Sequence, residues 1–166
     1  DTIYELSIRG IKGETLPPAT NGYTVKRELF GENGKPASLN DIKQGDVFLV
    51  RLSGGRNNAS SGWRIAQAMI VDFLPAGFEI ETVDTNEYPI KMPASSSMRK
   101  NSIQFENGRD DRYVAAIDLS RGEQFEVQYI VRAVSRGNYA YPAPYVESMY
   151  EPDQFARGVV GSVEVR

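Results

Sequence analysis

The sequence contains no cysteine and no histidine, and these two absences exclude most catalytic and metal-binding chemistry. Without histidine, the commonest general base and every Ser-His-Asp arrangement are missing. Without cysteine there is no thiol nucleophile, and nearly all zinc sites are excluded. The D-x-[DN]-x-[DN]-G spacing of a calcium loop is also absent. We therefore expect a chain that is not an enzyme and that binds no cofactor and no metal ion.

Long apolar runs and an excess of basic residues are also lacking. The longest apolar run, Ala66–Leu74, is well short of the ~18 residues of a membrane-spanning helix. The net charge is −3, which argues against the basic surface that binds phosphates. We expect no nucleic-acid partner and no direct membrane insertion by this segment. Because the sequence begins without methionine or an apolar targeting region, we expect either a segment excised from a longer chain or a mature chain that has lost its targeting information.

What the sequence does contain is period-two alternation of apolar residues, which is typical of half-buried strands. A length of 166 residues favours a single domain over residues 1–166. Turn residues separate the alternating segments, and no segment sustains a helical pattern, so we predict an all-β antiparallel β-sandwich. The predicted strands are Ile3–Ile11, Tyr23–Phe30, Val47–Leu52, Ile65–Phe73, Phe78–Thr82, Tyr113–Leu119, Phe125–Val134 and Val163–Val165.

One predicted strand breaks its own alternation. Phe125, Val127 and Tyr129 fall on alternate positions, and then Ile130 and Val131 are adjacent apolar residues. A β-bulge at this point, or an aromatic side chain turned outward, would explain the break.

Three segments are too long for tight turns and are predicted as loops: Ser53–Gly62, Asp84–Ser102 and Tyr139–Gly158. The third combines four tyrosines with three prolines, which restrict the backbone, so we expect it to be ordered. Its tyrosines either cover the end of the sandwich or contact a partner, and the two interpretations are compatible.

The remaining polar and aromatic features have structural interpretations. We predict that Asp110 and Asp111 form a solvated turn that pairs with Arg109 or Arg112, because exposed ion pairs are common. The glycine-rich Ser53–Gly62 lacks the Gly-Lys-Ser/Thr ending of a phosphate loop and is predicted as a surface loop. Trp63 opens a strand and is predicted to pack in the core or at its rim.

Several short motifs occur in a fixed order along the chain, and Arg157 follows the last of them. These motifs are Tyr23–Glu28, Ser38–Leu52, Leu74–Ile80, Arg109–Ala116, Tyr129–Val134 and Tyr141–Pro152. Together they resemble the C-terminal macroglobulin-like domain (MG10) of bacterial α2-macroglobulin-type proteins. The resemblance covers most of the chain and implies an immunoglobulin-like β-sandwich.

The resemblance also implies a function. In that family the domain is the last part of a large periplasmic protease trap, an endopeptidase inhibitor that a lipidated N-terminus anchors to the inner membrane. Its partners are the thioester domain and the other domains of the same parent chain, and target proteases are reached through the parent. The domain packs on the thioester domain and shields the thioester until a protease activates the molecule. Matched to the family motif, the shielding side chains are Met149 and Tyr150, with Tyr145 as a neighbour.

A different class of function also fits the composition. A stand-alone adhesion or carbohydrate-binding β-sandwich could use its tyrosines and Trp63 as stacking platforms. A hydrolase that uses Asp110 and Asp111 is a third hypothesis.

Overall fold

The computed structural model describes residues 15–57, 65–85, 90 and 103–166, and these residues form twelve β-strands. Within the described ranges there is no α-helix, and therefore no helix of the length and apolarity that crossing a membrane requires. The strands are β1 (Ala19–Asn21), β2 (Tyr23–Phe30), β3 (Val47–Arg56), β4 (Ala66–Phe73), β5 (Phe78–Thr82), β6 (Ile103–Arg109), β7 (Arg112–Leu119), β8 (Gln124–Ala133), β9 (Gly137–Tyr141), β10 (Tyr145–Ser148), β11 (Phe155–Arg157) and β12 (Gly161–Val165).

The strands form three sheets. A six-stranded sheet has the order β1-β11-β10-β4-β7-β6, a four-stranded sheet has the order β2-β3-β8-β5, and β12 pairs with β9. All pairings between these strands are antiparallel. The prediction of an all-β antiparallel fold is confirmed.

The core lies between the two larger sheets, where alternate side chains of each strand point inward. Tyr113 and Ile117 of β7 are buried on the inner side of the six-stranded sheet, and Val50 and Leu52 of β3 are buried on the other side. Their intervening neighbours on β7 are only half-buried. This is the pattern of a sandwich in which two sheets pack their inner faces against each other.

The break in alternation on β8 has a cause that the sequence did not show. Ile130 points away from the main core into a second, smaller apolar cluster with Phe30, Leu49 and Ile90. Tyr129 stays in the main core, so the prediction of an aromatic turned outward is wrong. A register irregularity does occur here, and it lies between Ile80 and Thr82 of the partner strand β5.

A buried polar cluster links the three sheets across the core. Asp72 of β4 accepts a hydrogen bond from Arg27 of β2 at 2.6 Å and another from the Tyr129 hydroxyl of β8 at 2.7 Å. The Arg27 guanidinium lies 3.4 Å from the ring centre of Tyr141 on β9. Burial raises the pKa of Asp72, and the charge of Arg27 opposes that rise. We call Arg27, Asp72, Tyr129 and Tyr141 the Asp72 cluster.

Two predicted loops contain regular structure. The first four residues of Ser53–Gly62 belong to β3, and residues 58–62 lie outside the described part of the chain. Tyr139–Gly158 is ordered as predicted, but it contains the end of β9 and all of β10 and β11, so its description as a loop is wrong. Short strands flanked by proline carry too few residues to show alternation.

Of the remaining predictions, one concerns described residues and the others do not. Asp110 and Asp111 form the turn between β6 and β7, and Asp111 pairs with Arg112 at 2.7 Å, which confirms that prediction. The predicted strand Ile3–Ile11 and Trp63 lie outside the described residues, as does most of Asp84–Ser102.

Candidate functional site

The loop of residues 148–154 begins at the last residue of β10 and leads to β11. It presents two large side chains to solvent. Met149 is 40% exposed and Tyr150 is 77% exposed, although both side chains are large enough to bury substantial area. Met149 is soft and adaptable, whereas Tyr150 combines an apolar ring with one polar group. The pair predicted for the functional site therefore lies together on an accessible loop.

Hydrogen bonds within the loop fix its shape. The buried Ser148 donates its amide to the Gln154 carbonyl at 3.0 Å, and its Oγ accepts the Glu151 amide at 3.2 Å. The backbone amide of Gln154 in turn donates to the backbone carbonyl of Glu151 at 2.8 Å. These bonds satisfy backbone groups that a flexible loop would leave to water.

Neighbouring strands hold the loop at both ends. The Met149 amide donates to the Gln67 carbonyl of β4 at 2.8 Å, and Asn21 Nδ2 of β1 donates to the Asp153 carbonyl at 2.6 Å. Gly22 has a φ of 83°, and a Cβ at this position would lie 3.1 Å from Gln154 Oε1. Glycine is needed there both for its backbone conformation and for the close approach of the loop.

Tyr145 lies at the opposite end of β10 from Met149, about 13 Å along a strand that rises ~3.3 Å per residue. It is half-buried, its hydroxyl donates to Glu147 Oε2 at 3.1 Å, and its ring centre lies 5.9 Å from that of Phe155. Burial raises the pKa of Tyr145, and the hydrogen bond to Glu147 adds to the rise. Tyr145 thus shares a sheet with the loop but does not belong to its tip.

The other tail tyrosines serve the fold. Tyr141 is buried in the Asp72 cluster, and Tyr139 is half-buried with its hydroxyl donating to the Arg136 carbonyl at 2.8 Å. Of the four tyrosines in Tyr139–Gly158, Tyr150 is the one that projects mainly into solvent. Most rings of the tail therefore cover the sandwich, whereas the ring of Tyr150 is accessible, and its contact with a partner stays a prediction.

The exposed side chains of this loop include a thioether, a phenol and the carboxylates of Glu151 and Asp153. The thioether and the phenol ring can bury area against a partner surface. In the part of the chain that the structure describes, no three acidic side chains lie close enough to hold a metal ion.

Residues 22–153 match the family described as the bacterial alpha-2-macroglobulin MG10 domain. The chain belongs to this family. The alpha-2-macroglobulin of Escherichia coli strain K12 is 34% identical to this MG10 domain over 149 residues, which is 85% of the chain. The same alignment covers 9% of the E. coli protein, so the chain spans less than a tenth of that relative's length.

Solved structures of relatives show the same fold. The native conformation of E. coli alpha-2-macroglobulin, solved by cryo-EM, matches 95% of this MG10 domain with a TM-score of 0.81 and 31% identity. The trypsin-activated E. coli protein, solved by crystallography, matches 92% with a TM-score of 0.76 and 32% identity. The MG10 domain covers 10% and 11% of those two chains.

The residues that hold the loop in this MG10 domain were not predicted from the sequence. Asn21 and Gly22 are residue types that favour a turn, whereas in the structure Asn21 ends β1 and reaches across to Asp153. One signal was available, because Ser148 and Glu151 have the Ser-x-x-Glu spacing in which a hydroxyl accepts an amide three residues later. Gln67 acts through its backbone carbonyl, which no sequence pattern indicates.

Proposed function

We propose that this MG10 domain is the non-catalytic C-terminal domain of a bacterial α2-macroglobulin-type protease trap. In this proposal the parent is periplasmic and is anchored to the inner membrane by an N-terminal lipid. The domain packs on the thioester domain of the parent, and its 148–154 loop keeps water from the thioester until a protease activates the molecule. The chain itself performs no chemistry.

The observation that carries the proposal is the exposure of Met149 and Tyr150 on a loop that its hydrogen bonds hold in place. An acyl thioester hydrolyses in water, so a surface that protects it must be apolar, adaptable and releasable. A preformed loop loses little conformational entropy when it docks. Separation of two packed domains would then remove the shield. The trypsin-activated state of the E. coli relative supports activation by a protease as the trigger.

The carbohydrate-binding alternative has little support among the described residues. Tyr23, Tyr113, Tyr129 and Tyr141 are buried, so their rings are not available to stack on a sugar. Tyr150 alone does not form a platform of several rings.

In the full-length parent, Met149→Ala combined with Tyr150→Ala should accelerate the appearance of free thiol in the absence of protease. Loss of about 1.4 kcal/mol of packing between the two domains would raise the fraction of exposed thioester about tenfold. The rate of thiol release is measured with a chromogenic disulfide reagent at constant pH.

Val159→Ala is the matched control, because Val159 is also an exposed apolar residue and lies outside the 148–154 loop. It should leave thiol release unchanged. An unchanged rate in the Met149→Ala, Tyr150→Ala variant would remove the shielding role, and so would a parent sequence without a Cys-x-Glu-Gln motif.

A further inference from the structure

Except for the exposed Gln67, the side chains of strand β4 that point away from the core are apolar. Its inward side chains include the charged Asp72, whereas Met69 and Val71 are partly exposed and Phe73 is 39% exposed on the outward side. Ile65, immediately before the strand, continues the outward alternation and is 63% exposed. An antiparallel sheet whose outer face meets water normally carries polar residues there. Three of the four outward residues of β4 are therefore apolar, which is the composition of a covered surface.

The apolar surface continues across the neighbouring strands. Val71 pairs in register with Val114 of β7, and Met69 pairs with Ala116, which in turn pairs with Phe105 of β6. Phe105 is 54% exposed at the edge of the sheet. We call Ile65, Met69, Val71, Phe73, Phe105 and Val114 the outer apolar face.

Charged side chains border this face. The Arg112 guanidinium lies 4.8 Å from the ring centre of Phe73 and pairs with Asp111 at the same end of the sheet. β10 flanks β4 on the side opposite β7, and its Glu147 pairs in register with Met69. An apolar centre with a charged rim is the anatomy of a protein interface, and exposed apolar patches on soluble domains mark such contacts.

The outer apolar face is continuous with the 148–154 loop. The Met149 amide bonds to the carbonyl of Gln67, which lies between Ile65 and Met69 on β4. A partner that covers Met149 therefore also approaches the end of the face.

The loop alone is too small for a stable contact between domains. Interfaces between domains of one chain bury about 600–1,500 Å². Burial of Tyr150 supplies about 150–250 Å² at most, and Met149 adds a similar or smaller area. A further contact area is required, and the adjacent outer apolar face provides it.

We propose that the outer apolar face is covered in the parent protein by the same domain that contacts Met149 and Tyr150. The inference rests on the proposed function for the existence of a longer parent chain. The E. coli relative supports such a parent, because more than nine-tenths of its length lies outside the matched segment. The occupant is thus a neighbouring domain with a complementary apolar surface, and the loop is one end of a broad interface.

Cysteine labelling of the full-length parent tests whether the face is covered. Phe105→Cys and Ile65→Cys introduce thiols at two positions that are more than half exposed in this structure. Each variant is treated with a maleimide, the modified peptide is quantified by mass spectrometry, and the rate is normalised to that of the denatured protein. Lys26→Cys is the control, because Lys26 is an exposed residue of the other sheet. We expect labelling at positions 105 and 65 to be at least tenfold slower than at position 26.

Labelling at the rate of the Lys26→Cys control would overturn the proposal. The measurement is made at two protein concentrations, and protection that disappears on dilution would identify a second copy as the occupant and overturn the neighbouring-domain assignment. A photoreactive amino acid placed at position 105 or at position 150 should cross-link to one and the same domain of the parent. Cross-links to two different domains would also overturn the proposal.

The outcome is separable from that of the shielding test. Thiol release in the Met149→Ala, Tyr150→Ala variant reports on the thioester, whereas maleimide labelling reports only on whether the face is covered. A parent with protected positions 105 and 65 and unchanged thiol release would keep the interface and lose the shield.

Discussion

Replacing Asp72 with alanine should lower the free energy of unfolding by about 3–5 kcal/mol, because Arg27 would remain as a buried charge without its carboxylate partner. The side chain of Asp72 is 0% exposed and that of Arg27 is 8% exposed, and Arg27 Nη1 lies 2.6 Å from Asp72 Oδ1. The substitution also removes the acceptor of the Tyr129 hydroxyl, and an unpaired buried hydroxyl is itself costly. Urea unfolding of this chain measures the effect as a lower midpoint at constant slope.

Two comparisons isolate the buried pair. Glu164→Ala breaks the exposed pair with Arg166 and should cost less than about 1 kcal/mol. The double variant Arg27→Met with Asp72→Leu removes both charges and should be much more stable than Asp72→Ala, since apolar replacement of a buried pair is often neutral or stabilising. An Asp72→Ala variant no less stable than Glu164→Ala would contradict the prediction.

Raising the pH above about 10 should destabilise the fold steeply. Burial raises the pKa of Tyr113, Tyr129 and Tyr141 above the ordinary value of 10.0. In the unfolded chain these tyrosines lose their protons near pH 10, whereas the folded chain retains them. Their contribution to stability is therefore complete below pH 10 and is lost as the pH rises towards the folded pKa. Each group contributes about 1.4 kcal/mol per pH unit, so three give about 4 kcal/mol per unit.

Urea midpoints measured between pH 9 and pH 11, together with tyrosinate absorbance, test this dependence. Tyr113→Phe keeps the ring that stacks on Tyr129 at 4.5 Å and removes one titrating group. It should therefore reduce the slope above pH 10 by about 1.4 kcal/mol per unit. Val159→Ala is the control, because it changes an exposed residue that does not titrate, and it should leave the slope unchanged. A full slope in Tyr113→Phe would contradict the assignment.

The fold could be predicted from sequence where strands are long and have one buried face. β2, β4 and β7 were found with boundaries within one residue, because eight residues give four inward positions. β6 was missed because most of its residues are exposed at a sheet edge, and β11 was missed because it has only three residues. In such strands, pairing with a neighbour decides the conformation, and period-two burial is too brief to be recognised.

The candidate site was predictable only in part. Met149 and Tyr150 came from resemblance to a family, since no composition or spacing rule selects them. Asp72 was one charge in an apolar run, and its partner Arg27 is 45 residues away in sequence. The outer apolar face could not be predicted from the sequence. Apolar residues on both sides of a strand do not indicate whether a neighbouring sheet or another domain covers the second side.

The bond that anchors the loop also has a consequence for the order of assembly. Asn21 and Asp153 are separated by 132 residues, and among the strands that the structure describes, β11 is the one that pairs with β1. At a synthesis rate of about 5–20 residues per second, β1 waits roughly 7–26 s for its partner strand to be made. Folds dominated by such distant pairings are slow to form. The six-stranded sheet, and with it the contact surface, is completed only after β11 has been synthesised.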